Sequence, residues 1–143
     1  MLNESRIDIY NYLYNLFYDV VTKNVYSMNE PQELTTSDTQ DGFIVIRVGE
    51  LNNESEFGSE AYGWTRVYVE AYIPPKSRGR LDKAKYKTFV KSILEVVKRA
   101  SKDRAGAYCI QEGSVLSMDT NEESNANNAF FMFIKSFVVT IDE

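Results

Sequence analysis

Few side chains in this chain have chemical reach, and their spacing limits what they can do. Glu70 and Glu112 fall in segments patterned as strands and would serve, if brought together, as an acid and base pair. Cys109 is the sole cysteine, and histidine is absent. Those two facts exclude His-dependent triads, His or Cys zinc sites, intramolecular disulfides and dithiol redox chemistry. Asp119-Thr120-Asn121-Glu122-Glu123 opens like a calcium loop. Its sixth position is Ser124, where glycine is needed, and its twelfth is Phe130, where a bidentate glutamate is needed. No Gly-rich phosphate loop of the Walker or dinucleotide type is present. Cys109 sits early in an apolar strand, where a small buried hydrophobe is the simpler reading than a nucleophile. The expectation is a protein that is not an enzyme and uses no cofactor or metal.

Two helices and four strands would position these groups. The first helix is expected from Ser5 to Asn24, with Ser5 as N-cap and Asp8 in the first turn. Its apolar face carries Ile9, Tyr10, Leu13, Leu16, Phe17, Val20 and Val21, and Tyr12, Tyr14 and Tyr18 widen it to about 200°, enough to pack on two sides. Residues 25–42 read as connection, closing on the Asp41-Gly42 turn signal. Phe43–Val48 is a strand apolar on both faces. Trp64–Ile73 is a second, with Val67, Val69, Ala71 and Ile73 on one face, ended by Pro74-Pro75. A helix over Leu81 to Lys102 places Tyr86, Phe89, Val90, Ile93, Leu94, Val96, Val97 and Ala100 in one stripe. Strands at Tyr108–Met118, with a bulge at Gly113, and Ala129–Ile141 close the chain around a turn at 121–128. The expected fold is one α+β domain over residues 1–143, ordered α-β-β-α-β-β, with two helices on a mostly antiparallel sheet. Phe130, Phe131, Phe133 and Phe137 load both faces of the last strand. The sheet should therefore be covered on both sides, by helices on one and a neighbouring subunit on the other.

The 143 residues carry 16 basic and 21 acidic side chains, a net of −5, with 43% apolar and 13% aromatic residues. That composition excludes a disordered chain. No secretory signal opens the sequence and no stretch reaches membrane-span length, so a cytosolic or particle-associated protein with no membrane partner is expected. The modest net charge conceals segregation. Residues 1–75 net −8, residues 76–105 net +8 and residues 106–143 net −5. Arg78, Arg80, Lys83, Lys87, Lys91 and Lys98 belong to the basic block; Glu50, Glu54, Glu56 and Glu60 concentrate in one acidic loop. Three readings stay open. The lysines simply solvate a helix. They meet the acidic loop of another copy, head to tail. Or they contact phosphates, with Arg78 and Arg80 at the helix start.

The element order resembles that of the tail terminator, or tail-to-head joining, proteins of long-tailed bacteriophages. It is carried by the helix Ile7–Val21, the strands Phe43–Val48 and Trp64–Ile73, the helix Tyr86–Ala100 and the two closing strands. It spans nearly the whole chain and includes no signature motif, so no family functional residues carry over. A double-stranded-RNA-binding domain also runs from a helix through strands to a basic helix, but it ends there. The resemblance to tail terminators implies a hexameric homo-oligomeric ring in the virion tail or neck, assembled in the host cytoplasm. It implies contacts with the tail tube and with neck or head-completion proteins, and DNA passing without sequence-specific contact. The alternative is a small cytosolic binding module that uses the basic helix 82–102 to contact nucleic acid or an acidic protein.

Overall fold

Alternation of Val67, Val69, Ala71 and Ile73 demands a sheet with one face sealed from water, and all four are fully buried. In the computed structural model, which describes residues 4–49, 52–53, 62–76, 79–102, 108–123 and 129–142, they lie on the central strand. The elements are α1 (Glu4–Phe17), β1 (Val25–Ser27), α2 (Thr36–Asp41), β2 (Phe43–Val48), β3 (Asn52–Asn53), β4 (Tyr62–Ile73), α3 (Lys83–Lys102), β5 (Tyr108–Glu123) and β6 (Ala129–Asp142). The sheet order is β1-β2-β4-β6-β5, with β3 added beside β4. Among the described residues only β1 and β2 run parallel, and the other pairings are antiparallel. The fold is α+β with a mostly antiparallel sheet, as the pattern predicts.

Helices α1 and α3 cover one face. Ile9, Leu13 and Phe17 of α1 and Phe89, Ile93 and Val97 of α3 close over Ile44, Ile46, Phe133, Phe137 and Val139. Full burial of each such side chain stabilises the fold by about 1.5–3 kcal/mol. The opposite face holds a smaller aromatic cluster. Phe43 stacks on Tyr72 with ring centroids 4.6 Å apart, and Phe130 meets both edge-on. Tyr26 and Leu34, from the stretch between α1 and β2, pack against it. The chain's own 26–34 stretch thus covers part of the face expected to be covered by a neighbour.

The structure departs from the expected order in several places. Helix α1 begins at Glu4, so Ser5 lies in its first turn and is not the cap. It stops at Phe17 because Asp19 takes a left-handed backbone (φ 59°) and its N–H turns to the Thr22 carbonyl, 3.1 Å away. The connection over 25–42 contains β1 and α2. Thr35 and Asp38 form a reciprocal capping box that starts α2. Helix α3 starts at Lys83, two residues late, because the Asp82 carboxylate accepts the Lys85 N–H at 3.1 Å. Strand β5 runs to Glu123 and pairs Asn121–Glu123 with Ala129–Phe131, removing three residues from the expected turn. Its register shifts three times, the first between Glu112 and Val115 and so around Gly113.

Candidate functional site

The exposed face of α3 follows from the helix period. Lys83, Lys87 and Lys91 sit one turn apart, and Lys98 and Lys102 continue the same arc. All five are exposed, as are Arg80 before the helix and Arg99 within it. Phe89, Ile93, Val96, Val97 and Ala100 hold the other side of the helix in the core, which fixes the lysines outward. Among the described residues no carboxylate forms an ion pair with any of these cations; both recorded salt bridges belong to Arg47. Lys85 differs: it is half-buried and donates its Nζ to the Gln40 carbonyl at 2.8 Å, tying α3 to the end of α2. The structure therefore brings Arg80, Lys83, Lys87, Lys91 and Lys98 together on one surface. Arg78, Glu50, Glu54, Glu56 and Glu60 lie outside the described residues.

Three of the hollows in the structure adjoin this face, one of about 530 Å³ between Lys76, Arg80, Leu81 and Lys83. A second, of about 350 Å³, is a mostly apolar groove between Leu81, Tyr86 and Val90, with Lys83 and Lys87 also lining it. The third, of about 620 Å³, lies where the Asp19–Lys23 turn, α2 and the start of α3 converge. Two of its three carboxylates have structural duties. Asp82 caps α3, and Asp41 accepts the Ser37 hydroxyl at 3.2 Å. Among the described residues no group of three or more Asp, Glu, His or Cys is placed to hold a metal ion. No described helix is long and apolar enough to cross a membrane.

The acid and base pair weighed from the sequence is taken apart by the register. Glu70 pairs with Ile134 and Glu112 with Phe137. The two backbones are two strand spacings and three residues apart, an offset of about 14 Å. Segment 119–123 is strand, paired across to β6 for residues 120–123, and so not a calcium loop. Cys109, on β5, pairs with Thr140 of β6, and nothing of its side chain is described.

Glu70 belongs instead to a cluster that sequence reasoning missed. Arg47 donates Nε to Glu70 at 2.9 Å and a terminal nitrogen to the Met28 carbonyl at 2.6 Å, with Glu30 at 3.9 Å. The Tyr72 hydroxyl lies 2.7 Å from Glu30 and 3.0 Å from Glu70. Burial first, then the Glu30 hydrogen bond and the two negative charges, raise the Tyr72 pKa well above its ordinary value. Burial pulls the Arg47 guanidinium down, but its hydrogen bond and charge pairing with Glu70 outweigh that and leave it raised. The cluster fastens residues 28–30 to the sheet. With each charged group engaged by another, its chemistry is attachment.

No protein-family model and no curated protein matches this chain.

Proposed function

We propose that this chain is a structural assembly protein that forms a homo-oligomeric ring. In its specific form the proposal is a phage tail terminator or head–tail joining component, a hexamer that caps the tail tube and lets DNA pass. On this reading the chain catalyses nothing, and its site is the virion tail or neck. One observation carries it: a five-lysine face on α3, free of carboxylate partners among the described residues, in a chain whose remaining sequence is strongly acidic. Such a molecule is complementary to a copy of itself, and a head-to-tail contact closes into a ring when the rotation permits. The element order resembling tail terminators supports the specific form. The mass in solution tests it. Sedimentation should give an oligomer whose population falls with added salt, because exposed charges are screened beyond about 10 Å at 0.1 M. A monomer at high concentration in low salt would overturn it.

The same lysine face favours a second reading, a binding module for nucleic acid. Its signature is duplex binding by a monomer, with affinity falling linearly in log–log against salt. The net charge of −5 opposes it, since the molecule as a whole repels phosphate at long range.

A further inference from the structure

Helix α1 carries a second apolar stripe that its own sheet does not use. Ile9, Leu13 and Phe17 belong to the core. Ile7, Asn11, Tyr14 and Tyr18, spaced at i, i+4, i+7 and i+11, share a different flank. The Tyr18 N–H still reaches the Tyr14 carbonyl at 2.9 Å, so Tyr18 prolongs the stripe beyond the last helical residue, and the two rings lie 5.4 Å apart. Ile7 is 46% exposed and Tyr18 43%, which leaves both ends of the stripe open to water. Asp8 and Asp19 stand beside them, both exposed, and among the described residues neither forms an ion pair. The groove of Leu81, Tyr86 and Val90 has the opposite charge: Lys83 and Lys87 line it, and among the described residues no carboxylate does.

One chain holds both surfaces and cannot bring them together. Helices α1 and α3 lie on the same face of the sheet. The flank of α3 nearest α1 is the one with Ala84, Lys85 and Thr88, because these line the 620 Å³ hollow together with Asp19 and Val21, just past the end of α1. Lys83, Tyr86, Lys87 and Val90 sit about 160° round the helix from that set, at 3.6 residues per turn. The groove therefore opens on the flank turned away from α1, with the body of α3 in between. Ile7 and Tyr18, being open to water, lie on a flank of α1 that α3 does not cover.

We infer that the groove takes the α1 stripe of a second copy. Tyr18 of one molecule seats its ring on Leu81, Tyr86 and Val90 of the next, with Asp19 facing Lys83 and Lys87. Ile7 and Asp8 continue the contact along α3. The apolar floor takes the ring and the ammonium groups answer the carboxylates, so affinity and register come from different atoms. Each copy offers its groove to one neighbour and its stripe to another, so the contact is heterologous and propagates until it closes. This inference rests on the assembly reading and names the surfaces that make it.

The test is mixing on the full chain, followed by sedimentation velocity in low salt, with circular dichroism as the check of folding. I7S/Y18S removes the stripe and K83E/K87E inverts the charge of the groove; each alone should weaken self-association at least tenfold. Mixed in equal amounts, the two variants still share one intact groove and one intact stripe. They should form a pair and nothing larger. D8K, at an exposed helix position, reads the same stripe by charge and should weaken association at least threefold should I7S/Y18S fail to fold. A wild type that assembles but is indifferent to K83E/K87E and to the stripe variants overturns this contact and leaves the assembly reading standing. A mixture of folded variants that gives no pair, or that grows to wild-type size, also overturns it. A wild type that stays monomeric overturns both.

Discussion

The hydroxyl of Tyr72 lies 2.7 Å from the Glu30 carboxylate, joining residues 42 positions apart in sequence. A single hydroxyl hydrogen is shared between Glu30 and Glu70, and Arg47 balances the charge beside them. Removing that hydrogen leaves two carboxylates facing each other with one donor fewer. Tyr72→Phe keeps the ring stacked on Phe43 and should cost about 0.5–1.5 kcal/mol, the range for one lost hydrogen bond, because Glu30 is exposed and Glu70 keeps its bond to Arg47. Chemical denaturation measures it, and hydrogen exchange should rise first at residues 28–30.

Alkaline pH should loosen the same face. Tyr26 donates to both oxygens of Asp38, at 2.8 and 3.0 Å. Burial, then that hydrogen bond and the Asp38 charge, push its pKa up to about 12, above its ordinary 10. A phenol whose folded pKa exceeds its unfolded pKa contributes stability in full below pH 10. That contribution drains away between pH 10 and 12, as the unfolded chain ionises first. Tyr72 shifts in the same direction. The double variant Tyr26→Phe/Tyr72→Phe should flatten the alkaline limb of a stability–pH curve; an unchanged limb contradicts this assignment.

Gly42 enters β2 with φ +83°, and a Cβ there would lie 2.6 Å from the Tyr72 carbonyl oxygen. Backbone cannot yield as a flexible side-chain tip can. Gly42→Ala should therefore destabilise by more than the ~1 kcal/mol that a left-handed residue alone costs, approaching about 3 kcal/mol with the clash. A thermal melt checks it.

Asp38 is fully buried and its carboxylate serves two groups: the Thr35 N–H at 2.9 Å, which is its half of the α2 capping box, and the Tyr26 hydroxyl. Asp38→Ala should cost about 2–3 kcal/mol, combining a lost cap with a stranded phenol. Asp38→Asn keeps an acceptor and should cost less. Equal losses in the two would contradict the hydrogen-bond assignment.

Legibility in the sequence tracked periodicity. The stripe Phe89–Ile93–Val97 and the alternation Val67–Ile73 each repeat long enough to declare a helix and a strand, and both stand as expected. β1 is three residues long and α2 is six, too short for any period to show. The reading of residues 25–42 as connection passed over the one signal for α2, the capping spacing of Thr35 and Asp38. The end of α1 was not readable, because Asp19 breaks the helix by a backbone angle while Val20 and Val21 continue the apolar pattern. The lysine face was readable, since exposure follows directly from the stripe opposite. The Arg47–Glu70–Tyr72–Glu30 cluster was not, because it depends on β2–β4 register and on where residues 28–30 cross the sheet. Lys135 was also out of reach: it is 5% exposed, on a strand position paired with Val69.

The two margins of the sheet have a bearing on crowding. One margin is β1, three residues long, and the other is β5, sixteen residues long but broken by three register shifts. A long uninterrupted margin would offer a ladder of free amides and carbonyls on which strands from other molecules could zip without limit. Offset hydrogen-bonding phase along β5 denies an incoming strand a continuous match. Fibre growth along this margin is thereby held in check by the backbone itself, even where the chain is crowded.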